Sequence, residues 1–274
     1  MEKIEVVGVT SADQQYFSID GYLYYTFQEA ICIEFDYLVI AVSNLSLYKE
    51  MKEQAISAAG VDITEKIVTI QAFAIPGFDL EKYMALQNSR TSIIARNCWG
   101  GIISRNLGLQ FHSPFINMLI DETQYLKLLE KLKYYCECDL KFYKWSYNER
   151  TNLTYPIVML DDIELHFIHD TRMEVVKANW DKRVKRINYK NLFVMMDTQN
   201  KDILERFDKL PYEHKVCFVP FESDLSSACY LETNNSLKET FWDVVVNGIA
   251  TGRFQKYNCL DMLCGEHTMR ALWK

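Results

Sequence analysis

The run Ser92-Ile93-Ile94-Ala95-Arg96-Asn97-Cys98-Trp99-Gly100-Gly101 passes abruptly from an apolar stretch into polar and reactive side chains. Its first five residues, Ser92–Arg96, have the length and composition of a buried strand. An amide, a thiol and an indole then stand beside two glycines, which let a backbone turn tightly and approach a ligand closely. The run predicts a strand whose carboxyl end opens into a ligand-binding loop.

The residues that follow alternate strand and helix patterns. Apolar runs predict strands at Ser92–Arg96, Phe115–Ile120, Leu140–Tyr143, Ile157–Leu160, Glu164–Ile168, Leu192–Met196 and Val216–Val219. Capping boxes predict a helix over Glu122–Tyr135, opened by Asp121 with Gln124, and another from Thr171 with Glu174 to about Ile187. Weaker helical patterns cover Asp202–Phe207 and Leu237–Asn247.

The first 70 residues predict βα units. Strand patterns occur at Ile4–Val9, Asp36–Val42 and Lys66–Ile70. A helix between the second and third strands has Ser46 as its N-cap and Gly60 just past its end. A strand, a helix and a strand at this spacing predict a right-handed parallel crossover.

Residues 71–90 join the two halves of the chain. Pro76-Gly77 indicates a turn, Asp79–Gln87 a short helix capped by Asp79, and Asn88-Ser89-Arg90 a junction. We therefore predict an α/β protein of two domains. Residues 1–88 form a small parallel half-domain, and residues 89–274 form a larger three-layer α/β domain with a mixed or parallel sheet.

Composition limits the classes of function. The net charge of −7 argues against a nucleic-acid partner. Because no apolar segment reaches the roughly 18 residues of a membrane span and the first residues lack signal-peptide features, we expect a cytoplasmic protein. Its eight cysteines are then reduced, and their spacing predicts no structural zinc. The sequence does not identify a cofactor or an oligomeric state. The 14% aromatic content fits either stacking platforms for a sugar or base, or a large core.

Four predicted strands end in polar residues. In open α/β sheets ligands bind beyond the carboxyl ends of the strands, so parallel neighbours would bring these residues into one crevice. The residues concerned are Asn97 with Cys98, Asp121, His169 with Asp170, and Asp197 with Thr198.

Cys98 has two interpretations. As a nucleophile it would take His166 or His169 as its base, with Gly100 and Gly101 supplying N–H donors to an oxyanion. As a small buried thiol it would have no chemical role. No spacing ties Cys98 to a histidine, so the sequence favours the structural thiol. Asn97 and Trp99 are predicted ligand contacts, and Trp99 fits the core equally well.

The segment His166-Phe167-Ile168-His169-Asp170 is a second candidate site. Alternation along a strand puts His166 and His169 on opposite faces, so one metal ion would not bind both. His169, at the strand end, is the better candidate for catalysis. Structural roles for both histidines are the alternative.

The segment Trp180–Asn188 is a third candidate. Arg183 and Arg186 are three residues apart, so at helical spacing both guanidinium groups can address one phosphate or carboxylate. Asn188 is a further predicted ligand contact at the end of the segment. The alternative is an ordinary solvated basic face.

Asp161-Asp162 follows the apolar run Ile157–Leu160. Paired acids after a buried strand are typical of the metal–nucleotide site of glycosyltransferases. Because Glu164 begins another predicted strand, a tight hairpin turn is the preferred interpretation.

Two family resemblances add to these patterns. Val-Val-Gly-Val, Asp-Tyr-Leu-Val-Ile-Ala, Ala-Gly-Val and Lys-Ile-Val, within residues 6–68, resemble the Rossmann-like nucleotide-binding domain of sugar-modifying enzymes. These residues lack its Gly-x-Gly-x-x-Gly phosphate turn, so the resemblance is to a truncated domain. Residues 90–222 resemble an uncharacterised bacterial family labelled exopolysaccharide biosynthesis protein. The matching blocks are the Ser92 run continued through Ile103, Leu-Gly-Leu-Gln-Phe-His-Ser-Pro-Phe-Ile-Asn, His-Phe-Ile-His, Trp-Asp-Lys-Arg-Val-Lys-Arg-Ile-Asn-Tyr-Lys-Asn-Leu-Phe-Val and Phe-Asp-Lys-Leu-Pro-Tyr.

The second resemblance implies a role in cell-surface glycan assembly without defining a reaction. The first hypothesis is a transferase acting on a nucleotide sugar or glycan precursor. His169 would be its base, the arginine pair would hold phosphate, and Asn97, Trp99, Gly100 and Gly101 would hold the sugar. The alternatives are a non-catalytic sugar- or nucleotide-binding partner of an assembly complex, and an acyltransferase or hydrolase that uses Cys98.

Overall fold

The computed structural model describes residues 5–10, 18–19, 21–42, 44–70, 72, 78–231, 240–248 and 259–266. The chain divides into two compact units, Met1–Phe73 and Ala74–Lys274. Both contain helices and strands, which confirms the α/β class. The division falls before residue 88 because the intervening helix belongs to the second unit. Its Tyr83 hydroxyl donates to the Leu107 carbonyl at 2.8 Å, and its Lys82 pairs with Asp261 at 2.8 Å.

The first unit contains two small sheets among its described residues. Its elements are β1 Val9–Thr10, β2 Ser18–Ile19, β3 Tyr22–Tyr25, α1 Phe27–Cys32, β4 Leu38–Ile40, α2 Leu45–Ala59 and β5 Ile67–Thr69. Strands β1 and β3 pair in parallel, β2 and β3 antiparallel, and β4 and β5 in parallel across helix α2, as the predicted crossover requires. A Rossmann-like sheet is not confirmed.

Two boundaries of the first unit differ from prediction. Residues 5–8 are not a strand, and residue 4 lies outside the described residues. Helix α2 is capped by Asn44, whose Oδ1 accepts from the N–H groups of Ser46 and Leu47, so Ser46 is not the cap. Gly60 ends the helix at φ 64°, in the left-handed region that glycine adopts without strain.

The second unit is built on a parallel sheet and an antiparallel sheet. Its helices and strands are α3 Leu80–Ser89, β6 Ser92–Ala95, α4 Trp99–Asn106, α5 Glu122–Glu130, α6 Leu132–Glu137, β7 Leu140–Asn148, β8 Leu153–Leu160, β9 Ile163–His166, α7 Met173–Val184, β10 Leu192–Asp197, α8 Lys201–Asp208, β11 His214–Val219, β12 Ala228–Tyr230 and α9 Cys259–Leu263. The parallel sheet has the order β12-β11-β10-β6, and the antiparallel sheet has the order β7-β8-β9.

The segment Phe115–Ile120 is not the strand that its apolar residues predict. Asn117 takes a φ of 58°, which interrupts extended backbone. The segment instead connects the two sheets. Leu119 forms an antiparallel bridge with His166, and the Ile120 N–H donates to the Arg96 carbonyl at 2.9 Å.

The helices before and after the antiparallel sheet also differ from prediction. The single helix predicted over Glu122–Tyr135 breaks at Lys131 into α5 and α6. Asp121 caps α5, but Gln124 accepts from the Glu164 N–H and does not complete a capping box. Helix α7 has Arg172 as its N-cap without a side-chain hydrogen bond, so the box of Thr171 with Glu174 is wrong.

The turn between β8 and β9 is the hairpin preferred from the sequence. Asp161 takes a φ of 56°, as a tight two-residue turn requires. The hydroxyls of Tyr134 and Tyr135 donate to Asp161 and Asp162 at 2.7 and 2.9 Å. Both carboxylates are therefore engaged in holding the turn.

The main core lies between the sheets and their helices. The Tyr125 hydroxyl of α5 is 2.9 Å from the Ile94 carbonyl and 3.0 Å from the Met195 carbonyl, so one buried phenol joins this helix to both central strands. Of the predicted helix Leu237–Asn247, residues 237–239 lie outside the described part, and Asp243–Gly248 forms a π-helical turn. None of the described helices combines the length and apolarity needed to cross a bilayer.

Candidate functional site: a cysteine–histidine pair

Two of the predicted strand ends meet because β6 and β10 are parallel neighbours. Arg96 Nε lies 2.9 Å from Asp197 Oδ1, and the Asn97 amide donates to the same oxygen at 2.7 Å. Arg96 also donates to the Ile120 carbonyl at 2.9 Å, while Thr198 donates to Glu122 at 2.8 Å. These polar groups form a hydrogen-bonded network that holds the loop after β6.

This network sets the position of Cys98. Asn97 is fully buried, and its Oδ1 accepts from the Trp99 N–H at 2.9 Å in the first turn of α4. Cys98 is the N-cap of that helix. Asn97 therefore acts through the backbone around Cys98, and its buried amide is not available to a ligand in this structure.

Cys98 and His169 lie in contact. The Cys98 Sγ is 3.2 Å from the His169 Nε2, and the thiol is 4% exposed while the imidazole faces solvent. The contact arises because residues 119 and 120 connect the end of β9 to the end of β6. The resulting geometry is that of a nucleophile and a base within hydrogen-bond reach.

Burial keeps this pair neutral. Burial raises the pKa of the Cys98 thiol to about 11. It also lowers the pKa of His169, an effect that Arg105 reinforces and the Asp170 carboxylate opposes. Burial raises the pKa of Asp170, while Arg183 and His169 oppose that rise. At neutral pH the resting pair is a thiol beside an imidazole, so the thiolate forms only when His169 takes the proton.

Alkylation should report this protonation state. Because Cys98 remains a thiol below a pKa of about 11, we expect its rate of reaction with iodoacetamide to rise steadily from pH 7 to pH 10. Peptide mapping by mass spectrometry separates Cys98 from the exposed Cys32, which provides the internal control. A rate that levels off below pH 8 would show a thiolate–imidazolium pair and contradict the assignment.

His166 lies apart from this pair. Its Nε2 is 3.6 Å from Glu164 Oε2, and its Nδ1 is 3.4 Å from the Tyr155 hydroxyl. Burial lowers the pKa of His166. The two histidines thus have different partners, and His166 serves as an internal comparison for His169.

Trp99, Gly100 and Gly101 are packed in the interior. Trp99 is fully buried, with its ring centroid 6.0 Å from Phe193 and 5.9 Å from Phe218, so it is a core residue and not an open sugar platform. A Cβ on Gly101 would lie 2.5 Å from Asn117 Oδ1, and one on Gly100 would lie 3.1 Å from the Ala95 Cβ. The glycines allow α4 to pack closely on its surroundings.

The match to a known family lies almost entirely in the second unit, Ala74–Lys274. Residues 69–261 match a model described as a domain of unknown function, DUF1919. The chain belongs to the DUF1919 family. It is also similar to an uncharacterized protein of Haemophilus influenzae, with 32% identity over 165 residues that cover 57% of this chain and 76% of that protein. The DUF1919 region contains both Cys98 and His169.

Arg183 and Arg186 of the DUF1919 region both contact Phe111. The Arg183 guanidinium lies 5.1 Å from the Phe111 ring centroid, and an Arg186 nitrogen lies 3.5 Å from the Phe111 carbonyl. Burial lowers the pKa of Arg183, with Asp170 opposing the shift. Within the described ranges neither arginine has a carboxylate within 4.0 Å. Their joint binding of an anion stays a prediction.

Two predicted ligand contacts have local structural roles. The Asp121 Oδ1 accepts from the Thr123 hydroxyl and from the N–H groups of Thr123 and Gln124. The bond from the hydroxyl, followed by the two backbone bonds, lowers the pKa of Asp121. The Asn188 N–H donates to Ser92 Oγ at 2.8 Å. Asn188 therefore lies at the start of β6, whereas Cys98 follows the end of that strand.

Sequence reasoning missed three residues near the Cys98 site. Arg96 and Glu122 belong to the network around Asp197, and Arg105 of α4 adds positive charge beside His169. An arginine that directly follows an apolar strand was the available signal, because a buried guanidinium requires a carboxylate partner. In the part of the DUF1919 chain that the structure describes, no group of three or more His, Cys, Asp or Glu side chains is arranged to hold a metal ion.

Proposed function

We propose that this protein is an acyl-transfer enzyme with Cys98 as its nucleophile and His169 as its base, acting on a precursor of a cell-surface glycan. The 3.2 Å contact between Cys98 Sγ and His169 Nε2 carries the proposal. A thiol at a helix N-terminus, with an imidazole that accepts its proton, is the minimum arrangement for covalent acyl transfer.

The reaction begins when His169 Nε2 takes the Cys98 proton. The thiolate attacks the carbonyl carbon of an activated ester or thioester, forming a carbon–sulfur bond. The leaving group departs with the proton held by His169. A hydroxyl of the acceptor then gives its proton to His169 and attacks the thioester, which transfers the acyl group and restores the thiol on reprotonation. Water as the acceptor gives hydrolysis.

Three groups support these steps. The positive end of the dipole of α4, which begins directly after Cys98, would stabilise the oxyanion. The Asp170 carboxylate would stabilise the imidazolium that forms on His169, because it favours the protonated ring. Arg183 and Arg186 would bind an anionic part of the substrate, as in a nucleotide sugar or a phosphorylated precursor.

The glycan setting rests on the sequence blocks that resemble exopolysaccharide biosynthesis proteins. The positions of the residues that the sequence predicts to hold a sugar favour acyl transfer over glycosyl transfer. Asn97 and Trp99 are fully buried, whereas His169 is exposed beside a thiol. This contrast supports a nucleophile and a base at this position more than it supports a sugar pocket in the same loop.

Acylation by p-nitrophenyl acetate tests the proposal without knowledge of the natural substrate. We expect one acetyl group on Cys98, located by peptide mapping, and none in Cys98→Ala. His169→Ala should lower the rate by about 10²–10⁴-fold. His166→Ala is the matched control and should leave the rate unchanged. Equal acylation of wild type and His169→Ala would overturn the proposal.

A non-catalytic binding protein is the second candidate. The observation that favours it is the burial of Cys98, which leaves 4% of the residue exposed and raises the pKa of the thiol to about 11. On this alternative Cys98 stays unmodified in the acylation experiment while wild type and Cys98→Ala bind a glycan precursor equally well.

A further inference from the structure

Strand β7 exposes an unusual number of aromatic side chains. It is an edge strand, and Phe142, Trp145 and Tyr147 are 48%, 49% and 55% exposed. An irregularity at Tyr143 shifts the register between Phe142 and Lys144. Large apolar side chains that are exposed together indicate an interaction surface.

The register places these three rings on one face of the sheet. Phe142 pairs with Val158, Trp145 with Pro156 and Tyr147 with Thr154, and directly opposed residues share a face. The Phe142 and Trp145 ring centroids are 5.5 Å apart. We call Phe142, Trp145 and Tyr147 the aromatic face.

Local contacts hold this surface in place. The Tyr147 hydroxyl donates to Asn152 Oδ1 within the hairpin, which orients its ring. Arg150 at the hairpin tip pairs with Asp243 at 2.8 Å. A ligand would therefore meet rings whose orientation is already restricted, which reduces the entropy lost on binding.

The charge pattern selects the kind of ligand. Lys141 and Lys144 pair with Met159 and Ile157, so they lie on the opposite side of the sheet from the aromatic face. Single-stranded nucleic acid requires cations that track its phosphates beside the stacking rings, and an anionic membrane surface requires cations next to the inserted aromatics. An uncharged aromatic face instead suits the flat C–H faces of neutral sugar rings.

A second copy of the chain is a less suitable occupant. An edge strand recruits another strand through its unpaired backbone groups, and β7 carries a register irregularity and two lysines, which are features that discourage such pairing. The rings lie on a face of the sheet, so binding to them does not use the backbone groups at its edge.

The aromatic face is connected to the Cys98–His169 pair through the same sheet. Trp145 pairs with Pro156, and the Phe167 N–H donates to the Pro156 carbonyl at 3.1 Å. Two strand spacings of about 4.8 Å separate Trp145 from Phe167, so the step is roughly 10 Å. His169 follows two residues later. The sheet therefore leads from the aromatic face to the chain segment that carries His169.

We propose that the aromatic face binds a neutral oligosaccharide segment by stacking, and that this segment is the acceptor end of the substrate. The second half of this inference rests on the proposed acyl-transfer function. The first half stands on the exposure, spacing and charge of the rings alone.

Titration with cellohexaose and maltohexaose tests the binding surface. We expect weak but saturable binding by wild type, measured calorimetrically and by a change in tryptophan fluorescence that is absent from Trp145→Ala. Trp145→Ala and Tyr147→Ala should each weaken binding about tenfold or more, since each removes a stacking ring. Tyr189→Ala and Tyr230→Ala remove tyrosines that are 42% and 44% exposed elsewhere, and they should bind as wild type does.

The outcomes separate this inference from the acylation chemistry. Cys98→Ala should bind the oligosaccharides normally, because the rings do not depend on the thiol. Failure of wild type to bind either sugar, or equal binding by Trp145→Ala, would overturn the inference even if acylation of Cys98 succeeds. The inference would also be overturned if wild type bound vesicles of phosphatidylglycerol or oligothymidylate instead of the sugars, and Trp145→Ala lost that binding.

Discussion

Asp197→Ala should lower the free energy of unfolding by about 3–5 kcal/mol, because it leaves a buried guanidinium without its carboxylate. Asp197 is 4% exposed and accepts from Arg96 at 2.9 Å and from Asn97 at 2.7 Å. Urea unfolding followed by circular dichroism measures the effect, and the loop that contains Cys98 should loosen at the same time.

Asp181→Ala is the matched control for this prediction. Asp181 pairs with Lys177 at 3.1 Å on an exposed helix surface, so its loss should cost less than about 0.5 kcal/mol. The double variant Arg96→Met with Asp197→Leu removes both charges and should recover part of the stability. Equal effects of Asp197→Ala and Asp181→Ala would show that the network does not stabilise the fold.

Trp99→Ala should also lower the free energy of unfolding by about 3–5 kcal/mol. Trp99 is fully buried and packs against Phe193 of β10 and Phe218 of β11, so truncation leaves a large cavity beside the parallel sheet. The same unfolding measurement applies, with wild type and variant compared at one pH.

Trp145→Ala provides the contrast within the same chain. Its indole is half-exposed on β7, so its removal should cost less than about 1 kcal/mol. If Trp99→Ala unfolded at the same urea concentration as Trp145→Ala, the assignment of Trp99 to the core would be wrong. The comparison also establishes that Trp145→Ala is folded when its sugar binding is measured.

Local sequence signals predicted most of the regular elements. The apolar runs at β4, β6, β10 and β11 form strands, and the crossover from β4 to β5 is parallel. Asp79 and Asp121 cap the helices that follow them. These features depend on residues close together in the chain, where burial pattern and capping chemistry act over a single element.

Sequence patterns were less reliable where a residue distant in the chain competes for the same hydrogen-bonding group. Gln124 was expected to complete a capping box but accepts from Glu164, which is distant in sequence. The apolar run Phe115–Ile120 was expected to be a strand but bends at Asn117 and connects two sheets. In the first case a distant backbone N–H takes the side-chain oxygen that the local pattern assigns to the helix N-terminus. In the second case the backbone groups of Leu119 and Ile120 pair with those of His166 and Arg96, which are distant in sequence.

By itself the sequence determined an α/β chain with polar residues directly after its buried strands. Apolar periodicity and helix capping depend only on residues close together in the chain, so both are visible in the sequence. The tertiary structure alone decided which of those residues meet. The pairing of β6 with β10 buries Asn97 against Asp197, and the bridge from Leu119 to His166 brings His169 to Cys98. Seventy-one positions separate that thiol from its imidazole, and no local pattern encodes a contact between residues so far apart.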